Sequence, residues 1–143
     1  MARFVVDASV AAKWSLPEEH SGAARALLFE QHELIAPDFI SIELAQVMLK
    51  TARRGEIARA DALSALTRVH ELLRIRASSG LAFPAFELAT SLGTSVYDAL
   101  YLALALREEC ALITADRRLF EAVQPHFPTA AAWIGDLASE DAR

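Results

Sequence analysis

Apolar residues recur along the chain in two alternating rhythms: short β-branched or aromatic runs, and longer stretches whose apolar positions fall at helical spacing. Phe4 to Val6 predicts a short strand, and Ala8 to Trp14 a helical segment ending at the Leu16-Pro17 turn. Ser21 to Gln31 reads as a helix with Ser21 as its N-cap, and Leu34 to Ala36 as a strand stopped by Pro37. Asp38 is placed to cap the next helix, whose apolar positions 40, 44, 47 and 48 run on to Arg53-Arg54-Gly55. A further helix is expected over Arg59–Leu73, a strand at Ile75–Ala77, and helices over Pro84–Leu92 and Val96–Glu108. Ala111–Thr114 is the clearest late strand. Asp116–Gln124 follows as a helix, then Thr129–Ile134 as a last strand before a polar tail from Ser139. Strands separated by helices imply three layers, α/β/α, around a mostly parallel central sheet. No repeat, linker or low-complexity tract divides residues 1–143, so one domain is expected.

Composition narrows this picture. With 143 residues, 54% of them hydrophobic, the chain is long enough to bury about two thirds of its unfolded surface. The longest unbroken apolar run, Ala99 to Leu106, is far shorter than the ~18 residues of a membrane span. Asp7 interrupts the N-terminal apolar stretch before it could act as a signal peptide, so a cytoplasmic protein without a membrane segment is expected. The single cysteine, Cys110, excludes an internal disulfide, and the histidines at 20, 32, 70 and 126 lack zinc-site spacing. A formal net charge of −5 argues against nucleic-acid binding by bulk electrostatics, but leaves open an enzyme that meets phosphates through a bound metal.

Four acids stand where such a chain should least tolerate charge. Asp7 ends the run Phe4-Val5-Val6, Glu43 lies between Ile42 and Leu44, Asp98 is the only charge between Thr94 and Leu106, and Asp116 follows Leu112-Ile113-Thr114-Ala115. A carboxylate at the edge of a core is costly unless it is hydrogen-bonded, paired or ligating a cation. In open α/β sheets ligands sit beyond the carboxyl ends of the strands, where Asp7 and Asp116 should meet. Each acid also has a local explanation. Asp7 and Asp116 are placed to cap the helices that follow them, Ser95-Val96-Tyr97-Asp98 resembles a capping box, and Glu43 could pair with an arginine. Hard carboxylate oxygens suit Mg2+ or Mn2+ rather than zinc or copper. Arg117 and Arg118, in the first turn of a helix where the macrodipole disfavours cations, are candidate phosphate contacts, as is Lys13 one turn after Ser9. Each could equally be a solvated surface residue. Trp14 and Trp133 are expected in the core or at a subunit contact.

The spacing of these groups resembles one family. Asp7-Ala8-Ser9-Val10 with Lys13-Trp14 and Pro17-Glu18, then Tyr97-Asp98-Ala99-Leu100-Tyr101-Leu102-Ala103-Leu104-Ala105, then Leu112-Ile113-Thr114-Ala115-Asp116-Arg117-Arg118-Leu119, resemble PIN-domain ribonucleases of the VapC toxin type. The resemblance spans about residues 4 to 133. It implies a metal-dependent endoribonuclease, the toxin of a toxin-antitoxin pair, in which Asp7, Glu43, Asp98 and Asp116 hold Mg2+ or Mn2+ and the hydroxyls of Ser9 and Thr114 support them. It also implies an RNA substrate, a homodimer and a small antitoxin protein that covers the active site. Three residues after its helical acid the family often carries Asn, where this chain has Gln46. Two rival classes stand beside this reading. A phosphatase or phosphoacceptor domain would use Asp7, although its usual second acid falls at Ser9; a catalytically inactive binding module would keep the fold without metal.

Overall fold

A computed structural model describes residues 2–141. Strands β1 (Ala2–Val6), β2 (His32–Pro37), β3 (Arg74–Arg76), β4 (Ala111–Thr114) and β5 (Ala131–Trp133) form one sheet in the order β3-β2-β1-β4-β5. Every pairing is parallel, with Val5 opposite Ile35 on one side and Leu112 on the other. Among the described residues the helices are α1 (Ala8–Ala11), α2 (Ser21–Phe29), α3 (Ile40–Arg53), α4 (Arg59–Leu72), α5 (Ala82–Leu92), α6 (Val96–Arg107), α7 (Arg117–Val123) and α8 (Ile134–Asp141), with single 3-10 turns at Ala12–Trp14 and Ser79–Leu81.

β1 holds the middle of the sheet because its end is apolar on both faces. Val5 and Val6 are fully buried, as are Ile35, Leu112 and Ile113 on the neighbouring strands, the pattern of a parallel sheet covered on both sides. The chain winds outward from β1 to β2 and β3, then returns to build β4 and β5 on the other side. β1 and β4 therefore flank the topological switch point, where open α/β sheets leave a crevice at the strands' carboxyl ends. The apolar run of α6 accounts for much of the core. Every residue from Ala99 to Ala105 is buried, and the helix packs against α5, β1, β2 and β4. A helix enclosed on all sides must be apolar on all sides, which is why this segment shows little amphipathic pattern. Among the described residues no helix is long and apolar enough to cross a membrane.

Several local expectations are corrected. The polar tail expected from Ser139 is, as far as Asp141, the end of α8; Ala142 and Arg143 lie outside the described residues. The last strand is Ala131–Trp133 rather than Thr129–Ile134, because the fully buried Ile134 already opens α8. Ser21 is not the cap of α2. His20 takes that position in a left-handed conformation, while the Ser21 hydroxyl donates to the Leu16 carbonyl at 2.7 Å and accepts the Glu18 N–H at 2.8 Å, closing the turn before the helix. Asp38 does not cap α3 with its side chain, which instead accepts the Ser78 hydroxyl at 2.5 Å and so ties the end of β2 to the chain after β3.

Leu104 is fully buried in α6, whereas Leu106 on the same helix is 38% exposed. Leu104→Ala should cost about 2–5 kcal/mol in urea unfolding and Leu106→Ala less than about 1 kcal/mol. Equal losses would mean that α6 is not the enclosed helix of the core.

Candidate active site

The site grows from the end of β1. Asp7 follows Val6 and begins α1 as its N-cap, with Oδ1 accepting the Val10 N–H at 3.2 Å. Two hydroxyls point at the same carboxylate: Ser9 donates to Oδ1 and Thr114 to Oδ2, each at 2.5 Å. Their other capacity is used as well. Ser9 Oγ accepts the Ala115 N–H and Thr114 Oγ1 the Asp116 N–H, both at 3.0 Å. A hydroxyl has one hydrogen to give and lone pairs to receive with, so each of these groups links the carboxylate at the end of β1 to the backbone leaving β4. That backbone continues into Asp116, which caps α7 by accepting the N–H groups of Arg118 and Leu119 at 3.0 and 3.3 Å. Local capping and membership of a shared site are thus compatible.

Helices supply the other two acids. Asp98 lies in the first turn of α6, its N–H donated to the Ser95 hydroxyl at 3.0 Å. Glu43 lies in the first turn of α3, half-buried, and its Oε1 accepts the Tyr101 hydroxyl at 2.5 Å. Asp7, Glu43, Asp98 and Asp116 all line one cleft of about 370 Å3, together with Ser9, Lys13, Glu18 and Tyr101. Thr114, fully buried, stands behind Asp7 and does not line the cleft; Arg117, Arg118 and Gln46 do not line it either.

A PIN-domain family model matches residues 4–124. The chain belongs to the PIN-domain family. The ribonuclease VapC3 of Pyrobaculum aerophilum is 36% identical over 122 residues, covering 83% of this chain and 93% of the relative. Among solved structures, that of PAE2754 from Pyrobaculum aerophilum is similar over the whole of both chains, with a TM-score of 0.74 and 23% identity. VapBC2 from Rickettsia felis, solved with a DNA fragment from its promoter, matches with a TM-score of 0.66 and 16% identity, over 92% of this chain and 98% of that one. These likenesses show the three-layer PIN fold with its central parallel sheet.

The electrostatics of this PIN domain are unbalanced in the cleft. Asp7 is 5% exposed, and burial pushes its carboxyl up to about 6 against the partial relief of the Ser9, Thr114 and Val10 hydrogen bonds. Glu43 and Asp98 are also raised, first by burial and then by neighbouring acids, less the help of the Tyr101 and Ser95 hydrogen bonds. Among the described residues none of the four acids forms an ion pair. Lys13, the one cation lining the cleft among them, sits 3.6 Å from Glu18. Arg117 lays its guanidinium over the Trp133 ring at 4.2 Å to the centroid, and Arg118 acts on Asp98 only through longer-range attraction.

Such a donor set, all hard oxygen and short of positive charge, fits a divalent cation by its chemistry. Asp7 accepts three hydrogen bonds, which leaves about one of its roughly four lone-pair sites for a ligand. Among the described residues no three such groups stand close enough to hold one ion directly.

Tyr101 also belongs to this site. In the sequence only its spacing signals a role: three residues after Asp98, it shares that residue's face of the helix.

Asp7 makes the protein's stability depend on pH with a definite sign. Its rise from 3.8 to about 6 corresponds to about 3 kcal/mol that is present below the unfolded value and lost as pH rises through the folded one. Asp7→Asn removes that loss but strands the Thr114 hydroxyl hydrogen, at about 1 kcal/mol. In chelator the mutant should therefore exceed the wild type by ~2 kcal/mol at pH 8, with the difference shrinking as pH falls towards 4. A mutant less stable than wild type at pH 8 would show that the hydrogen bonds to the ionised carboxylate outweigh its burial.

Proposed function

We propose that the protein is a Mg2+- or Mn2+-dependent endoribonuclease, the toxin of a toxin-antitoxin pair, which hydrolyses RNA phosphodiester bonds at the cleft between β1 and β4. The observation that carries this reading is the convergence of Asp7, Glu43, Asp98 and Asp116 on one cleft at the switch point, where among the described residues none of them has an ion-pair partner. Kinship with relatives named as VapC ribonucleases supplies the substrate. In this reading residues 1–143 act as one PIN domain, cytoplasmic and homodimeric, and an antitoxin protein covers the cleft, in keeping with the toxin type that the chain resembles.

Each residue has a role that its placement supports. Asp7, held by Ser9 and Thr114, is the fixed carboxylate, while Glu43, Asp98 and Asp116 line the same cleft and would meet an ion directly or through its waters. A bound divalent ion would orient and acidify the attacking water and offset charge on the phosphate. Lys13, on the cleft wall, meets a backbone phosphate by exchanging it for Glu18. Arg117 and Arg118 lie on α7 beside the cleft, where they can bind flanking phosphates without reaching the acids. The phosphoacceptor alternative gains nothing here, because Ser9 stands where a second acid would be needed and its hydroxyl is committed to Asp7.

Purified, antitoxin-free protein incubated with total cellular RNA should cleave it in Mg2+ or Mn2+ and not in chelator. Asp7→Asn, Glu43→Gln and Asp98→Asn should each lose activity by at least about 100-fold, since a neutral amide oxygen is a poor ligand for a hard dication. Asp116→Asn should retain partial activity that high Mn2+ restores. Cleavage by wild type in chelator would overturn the mechanism, and full metal-dependent activity of Asp98→Asn would overturn the site.

The metal-binding half of the reading can be tested without RNA. At ten times its dissociation constant Mn2+ should stabilise the wild type by ~1.4 kcal/mol and leave the Asp7→Asn, Asp98→Asn double mutant unmoved. An equal shift in both proteins would place the ion elsewhere.

A further inference from the structure

We infer that Tyr101 is a positioning residue for Glu43, whose carboxylate it holds in the cleft, and that this one hydroxyl sets the affinity of the site for its divalent cation. The inference rests on the metal-dependent reading above and deepens it.

Glu43 differs from Asp7 and Asp116 in having no backbone group that its carboxylate caps. Asp7 and Asp116 are fixed by capping backbone N–H groups, whereas Glu43 reaches the cleft from α3 on a longer side chain. Among the described residues it takes a single hydrogen bond, from Tyr101, and no ion pair. Asp98 and Asp7 act on it as like charges and would drive a free carboxylate outward into water. Tyr101 opposes that drift from a rigid base. Its ring is 1% exposed within the core on α6, so with only two side-chain torsions the hydroxyl has little freedom.

The chemistry of the partner matters as much as its rigidity. A phenol is neutral near neutral pH and has one hydrogen to give, which Tyr101 gives to Glu43 Oε1. A donor that carries no charge fixes Oε1 and leaves Oε2, with the full negative charge of the group, for a cation. An arginine or lysine in the same place would fix the acid by neutralising it, and would compete with the ion. The spacing of α6 adds a further constraint: Asp98 and Tyr101 lie on one face, so the helix that presents one acid also orients another.

The experiment is a double-mutant cycle on the full chain, reading Mn2+ binding by isothermal titration or by the loss of free-ion paramagnetic signal, without RNA. Y101F should raise the Mn2+ dissociation constant by about 10-fold or more, the usual consequence of removing a group that orients a ligand. In the Glu43→Gln background the same substitution should change it by less than about 2-fold, because the group being positioned no longer carries charge. A merely satisfied core hydroxyl predicts a lower melting temperature for Y101F with unchanged Mn2+ affinity, and that result overturns the inference, as does an equal loss in both backgrounds. Should Y101F fail to fold, Glu43→Asp supplies the test: it keeps the charge, shortens the side chain beyond the hydroxyl's reach, and should weaken Mn2+ binding by a similar factor, wild-type affinity overturning the role. Absence of Mn2+ binding by the wild type would overturn the metal reading itself, whereas wild-type-like binding by Y101F would overturn only the part given to Tyr101.

Discussion

A single carboxylate buried at the end of the central strand is the constraint around which the rest is arranged. Asp7 cannot move to water, since the end of β1 is enclosed on both faces and Asp7 is 5% exposed. Its charge must be met from within. The fold meets it with three neutral donors, the Val10 N–H and the hydroxyls of Ser9 and Thr114, each too weak alone to offset burial. The carboxyl pushed up to about 6 measures what remains unmet. Had the fold placed an arginine there the deficit would vanish, and with it the room for a cation.

The same donors knit the sheet at its switch point. β1 and β4 pair from Phe4 opposite Ala111 to Val6 opposite Ile113, and the ladder stops there. Ser9 and Thr114 take over that function, each giving its hydrogen to Asp7 and receiving a backbone N–H from residues 115 or 116. The crevice that every open parallel sheet leaves at this point is therefore held by the network that presents the acid. Stability and site geometry rest on the same four or five atoms, which explains why the acids can cap helices and still face one cleft.

Most of the architecture could be read along the chain because apolar runs and their punctuation are local properties. Strands at Val5, Ile35 and Leu112 and the enclosed helix through Leu104 follow from patterns a few residues wide. The failures share a cause. Ser21 and Asp38 have the composition of caps, yet their side chains bind partners that lie across a turn or a strand, the Leu16 carbonyl and the Ser78 hydroxyl. The end of the chain reads as polar, but burial of Ile134 starts a helix there that packs against α2. The candidate acids stood out since charge beside apolar residues is visible locally. Tyr101 did not, because a tyrosine in an apolar helix is ordinary until the distance to Glu43, 58 positions away, is known.

Net charge gives the last step. A chain at −5, with five acids lining its cleft and the lysine there already facing one of them, Glu18, should repel a polyanion. Its arginines do little to help at the centre: Arg117 lies over the Trp133 ring outside the cleft lining, and Arg118 reaches Asp98 only at longer range. Under the proposed function the cleft accepts a phosphodiester only when the carboxylates share it with a dication, because two carboxylates ~4 Å apart already repel by about 4 kcal/mol at an effective dielectric constant near ~20. Cation and substrate then become conditions for one another, since each supplies the charge that the other lacks. A neutral, rigid framework of hydroxyls and backbone N–H groups is the arrangement that preserves this dependence: it holds the acids in place without discharging them.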